Sequence, residues 1–441
     1  MTSKISKIYS RQVLDSRGNP TIFTSVETSD GKHGVSYVPS GASTGSREAL
    51  ELRDGDKSRF DGKSVNKAVR NIMEVIAPAL IGKESTEQSE IDQIMIDLDG
   101  TPTKSSLGAN AILGVSMANA RVAADSRNQW LFEYIESMKD LTAPSDHLVM
   151  PRPMFNILNG GSHAFNSTDF QEFMIVPKIG MNEDFEETLL CGFEIYNQLK
   201  KILEYKNLPS TVGDEGGFAL AGFTNSDALD LLLQATEKTK FKPGEHLDFA
   251  LDVAASEFYN AEKKSYKLNS EAREIYSDEL ISIYEKLLSK YPIYSIEDGL
   301  SEDDWTGWEK LTQSIGDRVQ LVGDDLFVTN TKIFKEGINK GIANSILIKP
   351  NQIGTLTETF AALKMAESSN YTAIISHRSG ETADTTIADI AVSSSATQIK
   401  TGSLSRSDRV EKYNRLLKIE EILAQDAGYL GQNAFGSLFD L

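Results

Sequence analysis

Hydrophobic and polar positions follow two different periods in the first third of the chain. Residues 21–27 (TIFTSVE) alternate between two faces, as a strand with one buried side does, and 33–39 (HGVSYVP) can return beside them after an Asp30-Gly31 turn. Apolar positions then recur three or four residues apart, which predicts helices over 64–81, 87–98, 110–125 and 130–138. Strands followed by a separate group of helices indicate a small α+β domain.

Further along the chain, short apolar runs alternate with helical patterns such as 278–289 and 407–423. Six of the runs close on charged side chains that could take part in chemistry: Asp252, Glu297, Asp324, Lys349, the His377–Arg378 pair and Lys400. Successive members lie about 23 to 45 residues apart, close to the length of one strand and one returning helix. This spacing predicts a β/α barrel, in which the carboxyl ends of parallel strands carry the active site.

The predicted fold class is therefore α/β: a C-terminal TIM-like β/α barrel with a smaller N-terminal α+β domain. A chain of 441 residues is too long for one small core and suits two domains. A polar, proline-containing segment at 142–153 is the predicted boundary. The N-terminal domain would then cover 1–141 and the catalytic barrel 142–441.

Charge and cysteine content restrict the partners. The formal net charge of −19 would repel the phosphates of nucleic acid and of anionic lipid, so neither is an expected partner. Cys191 is the single cysteine, which excludes an intramolecular disulfide and fits a reducing cytosol. The N-terminus has no apolar segment of the signal-peptide type, and the uncharged stretch 105–120 is too short and polar to span a bilayer. We expect a cytoplasmic enzyme that acts on a small anion.

Three acids, Asp252, Glu297 and Asp324, are predicted to meet at the rim of the barrel from consecutive strands. Carboxylate oxygens favour Mg²⁺, which completes its coordination shell with water and substrate oxygens. One such acid alone could equally be a solvated side chain or a helix cap. Three of them at neighbouring strand ends favour a metal site.

Lys349 would face this acidic rim as a general base. An isolated lysine at a strand end usually extends to solvent, but here neighbouring cations and partial burial are expected to lower its pKa. The segment 376–380 (SHRSG) offers Arg378 and Ser379 as donors for a phosphate, although it could be an ordinary polar loop. Lys400 places a second cation one strand further on.

Three further segments are candidates for the site. Glu215 belongs to the glycine-rich turn 212–217, which could bring a carboxylate close to a substrate or could simply be a turn. Glu172, which follows Gln171, lies inside an apolar run, where a carboxylate needs a partner or a proton and is a candidate acid. The small-residue loop 39–45 suits a mobile lid whose hydroxyls could reach a metal.

Eight segments taken together resemble enolases. They are LDSRGNPT (14–21), PSGASTGSREALELRDGD (39–56), GANAILGVS (108–116), GDEGGF (213–218), SIEDGL (295–300), GDDLFVTNT (323–331), SHRSGET (376–382) and IKTGSLSRSDR (399–409). The resemblance runs from about Ile8 to Ala424, and the forms of SIEDGL and GDDLFVTNT are most similar to bacterial enolases.

The resemblance implies a glycolytic lyase that dehydrates 2-phospho-D-glycerate to phosphoenolpyruvate with two Mg²⁺ per site. It places the first ion on Asp252, Glu297 and Asp324, and a second ion, which arrives with substrate, near Ser43. Lys349 would remove the C2 proton, and Glu215 would assist loss of the C3 hydroxyl with Glu172 beside it. The remaining implied substrate contacts are His163, Gln171, His377, Arg378, Ser379 and Lys400. A homodimer, or an octamer assembled from dimers, is also implied.

Three positions depart from the enolase pattern without touching these roles: Phe165, Pro350 and Ala383.

Two other functions compete with the implied one. A sugar-acid dehydratase or racemase of the same superfamily would lack the GDEGG acid, the SGAST loop and the SHRSG loop, all of which occur here. A catalytically idle scaffold would lack the base, the acid or a metal ligand, and none of these residues is missing.

Overall fold

The computed structural model describes residues 3–41, 45–138, 148–164, 167–178 and 184–424. Within these ranges the chain forms a small sheet with helices, followed by a closed β/α barrel. No helix among the described residues combines the length and the apolar character that a membrane crossing needs.

The N-terminal region is an antiparallel sheet packed on helices. Its three strands, β1 (Ile5–Leu14), β2 (Pro20–Thr28) and β3 (His33–Tyr37), are hydrogen-bonded in chain order. The helices are α1 (Asn66–Asn71), α2 (Ala77–Leu80), α3 (Gln88–Asp99), α4 (Ala109–Ser126) and α5 (Leu131–Ser137), and a π-helical turn at Ile72–Ile76 joins the first two. The α+β expectation for this region is therefore met.

Helix α4 is the centre of this domain because almost all of its residues are buried. Two glycines let it approach the sheet closely. A Cβ on Gly34 of β3 would lie 2.3 Å from the Ala118 carbonyl oxygen, and one on Gly114 would lie 2.7 Å from Thr24 Oγ1. Larger side chains at either position would push the helix away from the strands.

The barrel follows, with its elements in alternating order. The strands of this region are the eight of the barrel and four short additional ones, β6 and β8–β10. In chain order they are β4 (Arg152–Asn159), β5 (Glu172–Pro177), β6 (Phe218–Ala219), β7 (Leu247–Asp252), β8 (Tyr259–Asn260), β9 (Ser265–Leu268), β10 (Arg273–Ile275), β11 (Ile293–Glu297), β12 (Gln320–Gly323), β13 (Ser345–Ile348), β14 (Thr372–Ser376) and β15 (Gln398–Lys400). Its helices are α6 (Phe185–Tyr205), α7 (Asn225–Glu237), α8 (Ser277–Lys290), α9 (Trp305–Ile315), α10 (Thr331–Lys340), α11 (Pro350–Ile353), α12 (Leu356–Ser368), α13 (Thr386–Val392) and α14 (Ser407–Leu423).

Eight strands close the barrel through the pairing of β15 with β4. One of them runs against the others: β5 is antiparallel to both β4 and β7. This reversal was not predicted from the sequence. Because β5 is reversed, its first residue, Glu172, lies beside the last residue of β7, Asp252. The small antiparallel sheet β8–β10, inserted between β7 and α8, accounts for the longest spacing between charged strand ends.

The barrel interior is filled rather than open. A buried apolar cluster occupies it, formed by Met154, Met174, Val176, Ala250, Val322, Leu347 and Ile374. At the starts of the parallel strands the buried amide of Gln320 donates to Gln398 Oε1 at 2.8 Å. This core leaves only the rim, at the carboxyl ends of the parallel strands, for a ligand.

Buried polar contacts fasten the N-terminal domain to the barrel. Asp92 accepts hydrogen bonds from the backbone N–H (3.0 Å) and the hydroxyl (2.6 Å) of Thr357, in the first turn of α12. Asp384, before α13, pairs with Arg121 Nη2 at 3.1 Å and accepts the Tyr37 N–H at 3.0 Å. These contacts hold the first domain over the rim.

Replacing Asp384 by alanine should lower the free energy of unfolding by about 3 kcal/mol, because Arg121 then loses its adjacent carboxylate and keeps, among the described residues, only the hydrogen bond to Thr386 Oγ1. Burial alone would raise the pKa of Asp384, but Arg121 and the hydrogen bonds from Thr386 hold it below the ordinary value. The stabilisation is therefore present above about pH 4 and is lost as the pH falls through the lower pKa of the folded state. Denaturant unfolding followed by circular dichroism should show the deficit at pH 7 and a smaller one near pH 3.

The matched control is the exposed Lys83–Glu90 pair, whose side chains are 43% and 53% exposed. Lys83→Ala should change the free energy of unfolding by only a few tenths of a kcal/mol. An equal effect of both substitutions would contradict the role given to the Asp384 contact.

Candidate active site

The charged residues predicted at strand ends do lie at one rim. Asp252, Glu297 and Lys400 are the last residues of β7, β11 and β15. Asp324 and Lys349 each follow directly after their strands, β12 and β13. All five are buried or nearly so, because the N-terminal domain covers the rim.

Lys400 is the cation at the centre of this rim. Its Nζ lies 2.8 Å from Asp252 Oδ2, 2.9 Å from both carboxylate oxygens of Glu297 and 3.2 Å from Glu172 Oε1. Burial favours the neutral amine, but the charges of Asp252, Glu172 and Glu297 hold the pKa of Lys400 well above its ordinary value. Lys400 therefore stays charged at the centre of the rim.

Lys349 forms an ion pair with Asp324 Oδ2, while Gln352 Nε2 donates to Asp324 Oδ1 at 2.9 Å. The expected lowering of the pKa of Lys349 was wrong for the protein without a ligand. Burial and the charge of Arg378 do lower it, but the adjacent charge of Asp324 outweighs them and raises the pKa. A group that offsets the charge of Asp324 would therefore make the amine a better base.

A second acidic group was missed by sequence reasoning. Asp298 and Asp325 each follow a predicted ligand, and with Asp324 they offer carboxylate oxygens within 4.8 Å of one another. Asp298 has a φ of +43°, and its carboxylate accepts the N–H groups of Asp324 (2.9 Å) and Asp325 (2.8 Å). The sequence indicates these residues only through the two adjacent acids in each of SIEDGL and GDDLF. One acid of each pair was predicted to be a metal ligand, and the other was left without a role.

The rim residues fit a divalent cation. Burial, followed by repulsion from neighbouring acids, raises the pKa of Glu297, Asp298 and Asp325 well above their ordinary values. Such a surplus of buried carboxyl groups is relieved by a bound cation. The donors are all oxygens, which suits Mg²⁺.

A pair of carboxyl groups lies on the neighbouring part of the rim. The side-chain amide of Asn156 donates to Glu172 Oε2 at 2.9 Å and to Glu215 Oε2 at 3.1 Å. Burial and the nearby charge of Glu215 raise the pKa of Glu172 well above its ordinary value. Burial also opposes ionisation of Glu215, but His377 (3.5 Å) and His163 (3.9 Å) hold the pKa of Glu215 below its usual range. Within the pair, a proton is therefore held more readily by Glu172 than by Glu215.

Arg378 is oriented by a residue that sequence reasoning missed. Its Nη1 and Nη2 donate to the two carboxylate oxygens of Glu48 at 2.9 and 3.1 Å, and Nη1 also donates to Asn351 Oδ1 at 3.1 Å. Glu48 belongs to the N-terminal domain, 330 residues away in the chain, so no local pattern could have indicated it. The guanidinium is thus held in a fixed plane at the rim.

One cavity brings most of the predicted site residues together. It is lined by His163, Gln171, Glu172, Glu215, Asp252, Asp324, Lys349, His377, Arg378, Ser379 and Lys400, together with Ala254, Asp298, Asp325 and Ser376. Glu297 lies directly behind this wall, in contact with Lys400. Ser43 and Phe165 lie outside the described residues. Pro350 is buried as the first residue of α11, and Ala383 is exposed.

Comparison with protein families gives two matches. Residues 5–135 match "Enolase, N-terminal domain", and residues 147–437 match "Enolase, C-terminal TIM barrel domain". The chain belongs to the enolase family. Its two-domain architecture is that of a lyase of the enolase superfamily, whose members bind Mg²⁺ and act on small molecules. The predicted boundary at 141/142 falls between the two matched ranges, outside the described residues, and stays a prediction.

Proposed function

We propose that this enolase-family protein catalyses the reversible dehydration of 2-phospho-D-glycerate to phosphoenolpyruvate. The observation that carries the proposal is the single cavity at the barrel rim. It holds a lysine, a pair of carboxyl groups with opposite pKa shifts, two further cations and a surplus of acids. A dehydration that begins with loss of a proton beside a carboxylate needs each of these groups.

Lys349 is assigned as the base that removes the C2 proton. That proton is a very weak acid, because its removal places a second negative charge on a group that is already a carboxylate. The handling of this charge by lysine bases and Mg²⁺ is a known feature of enolase-superfamily sites. In this chain Asp324 holds Lys349 protonated, and sharing Asp324 with a metal would lower the pKa of the amine.

The Glu172–Glu215 pair is assigned to the departure of the C3 hydroxyl. Asn156 donates to both carboxyl groups and so holds them next to each other, where the pair could carry the proton that the leaving oxygen takes up. Glu215 is the member in contact with the histidines and is proposed to face the hydroxyl. His163, His377 and Gln171 complete this side of the pocket.

The two negative groups of the substrate would bind to separate cations. Arg378 and Ser379 are proposed to bind the phosphate, since the guanidinium is already fixed by Glu48 and a planar fork suits phosphate oxygens. Lys400 is proposed to bind the carboxylate. Both cations would also stabilise the more highly charged intermediate, and interactions that strengthen at that stage increase the rate.

Asp252, Glu297 and Asp324 would hold the first Mg²⁺, and Ser43 is proposed to help hold a second. When bound, the ions supply positive charge that stabilises the developing negative charge on the substrate carboxylate. Asp298 supports this set by fixing the backbone at Asp324 and Asp325.

Chelation of divalent ions should reduce turnover more than about tenfold, because the acids at the rim then repel the anionic substrate without compensation. The test is a spectrophotometric assay for phosphoenolpyruvate formed from 2-phosphoglycerate, with and without excess chelator, followed by re-addition of Mg²⁺. Full activity in excess chelator would contradict the metal assignment. No product in the presence of Mg²⁺ would contradict the proposed reaction.

The proposals on subfamily, pathway, location and assembly rest on the sequence. Similarity of SIEDGL and GDDLFVTNT to the bacterial forms supports a bacterial-type enolase. A role in glycolysis and gluconeogenesis, a cytoplasmic location, and assembly as a homodimer or octamer are proposed from family resemblance. Sedimentation at several protein concentrations would distinguish the assemblies.

A further inference from the structure

Arg409, the third residue of α14, lies beneath the cavity without lining it. Its side chain is completely buried. Nη1 donates to His377 Nδ1 at 2.6 Å and to the Arg378 carbonyl at 2.5 Å, while Nη2 donates to the carbonyls of Ser379 at 2.8 Å and Asp214 at 3.2 Å. One guanidinium therefore joins the loop that carries Arg378 and Ser379 to the loop that carries Glu215.

The neighbouring chain is shaped to admit this guanidinium. Gly402 follows β15 with a φ of +84°, and a Cβ there would lie 2.8 Å from Arg409 Cδ and 2.9 Å from the Glu215 carbonyl oxygen. The Ser403 N–H also donates to that carbonyl at 2.8 Å. The third loop of the site, after Lys400, is thus packed against the same side chain.

The contact with His377 has a chemical consequence. An arginine has only donors, so His377 Nδ1 must be the unprotonated acceptor of the ring. Burial lowers the pKa of His377 to about 4, and the ring is therefore neutral near pH 7, with its proton on Nε2. Nε2 lies 3.5 Å from Glu215 Oε2, so the N–H faces that carboxylate.

We propose that Arg409 is a positioning residue: it fixes His377 as the Nε2–H tautomer toward Glu215 and clamps together the three loops that carry Glu215, Arg378–Ser379 and Lys400. It does not contact the cavity itself. Its effect on turnover rests on the proposed function, but the tautomer of His377 does not.

Nitrogen-15 NMR of the histidine rings tests the tautomer directly. The chain has five histidines, so the signal of His377 can be assigned by its loss in His377→Gln. The full-length protein with Mg²⁺ should show His377 as a neutral ring with the proton on Nε2. In Arg409→Met the Nδ1–H form should appear, because the donor to Nδ1 is gone. A wild-type ring protonated on Nδ1, or on both nitrogens, would overturn the proposal even if no variant folds.

Turnover provides the second measurement. Arg409→Met should raise KM, because the Arg378–Ser379 loop is no longer held in place, and should lower kcat, because Glu215 is no longer held in place. Together these effects should reduce kcat/KM by about 10- to 100-fold. The matched control is Arg415→Met on the same helix. Arg415 pairs with buried Asp389, its Nε lying 3.0 Å from Oδ2, and has no contact with the cavity lining. This control should lose stability but keep the His377 tautomer and kcat/KM within about twofold, as expected for a substitution outside the site.

The outcomes distinguish the proposed function from the positioning role of Arg409. If the wild-type protein forms no phosphoenolpyruvate, the proposed function fails, and the NMR measurement still decides the tautomer. If folded Arg409→Met loses activity with the Nε2–H tautomer intact, or keeps full activity, the positioning role is overturned. If Arg409→Met does not fold, Arg409→Lys keeps the charge but cannot reach all four acceptors, and wild-type kcat/KM in that variant would equally overturn the role.

Discussion

Replacing Lys349 by alanine should reduce the dehydration of 2-phosphoglycerate by about 10⁴-fold, because the variant retains the pocket but has no base beside C2. Exchange of the C2 proton with solvent, followed by proton NMR in D₂O, should stop as well. Binding of Mg²⁺ should persist or tighten, since Asp324 loses the cation with which it pairs in the free protein. Isothermal titration with Mg²⁺ measures this separately from activity.

Lys104 offers a matched control for the loss of a buried lysine. Its side chain is only 4% exposed, and its Nζ pairs with Glu358 at 2.9 Å, away from the cavity. Lys104→Ala should cost stability but retain C2 exchange. Exchange at the wild-type rate in Lys349→Ala would remove Lys349 from the role of base.

Glu215→Gln should slow formation of phosphoenolpyruvate by about 10³-fold, because an amide cannot deliver a proton to the departing C3 hydroxyl. Some exchange at C2 should continue, since Lys349 is untouched and the first step remains reversible. The two rates, product formation by absorbance and C2 exchange by NMR, are measured on the same protein.

Glu172→Gln is the informative comparison for the acid pair. The raised pKa of Glu172 favours its protonated form, which glutamine imitates more closely than it imitates a Glu215 whose pKa is lowered. The loss in Glu172→Gln should therefore be smaller. Unchanged turnover in Glu215→Gln, or a larger loss in Glu172→Gln, would reassign the acid.

The alternation of strands and helices could be predicted from sequence because six apolar runs, separated by helical patterns, each close on a charged or titratable side chain. The length of an αβ repeat and the apolar content of each run are local properties, and the terminal helix 407–423 was predicted at its observed bounds. The reversed direction of β5 and the three strands β8–β10 were not predicted. Strand direction depends on which neighbours pair, and this information is not in the residues of the strand itself.

The site was predicted to the extent that its residues occupy strand ends. Glu48 and Arg409 were missed, since each reaches the site from a distant part of the chain through contacts that only the folded backbone creates. Asp298 was missed because its role depends on a left-handed backbone conformation in the residue after a strand. The pKa of Lys349 was predicted with the wrong sign because the closest charge, on Asp324, could not be ranked against more distant cations without coordinates.

The reversed second strand also limits how such a barrel can be rebuilt. A barrel made of eight equivalent βα units can be assembled from duplicated or exchanged quarters and halves. Here β4 and β5 form an antiparallel pair, and the described residues between them contain a single 3₁₀ turn (Gly161–His163) and no α-helix. Recombining this protein with a regular barrel would therefore have to move that hairpin as one piece. If the recombination point lay inside the hairpin, β5 would be replaced by a parallel strand. The rim would then lose Glu172.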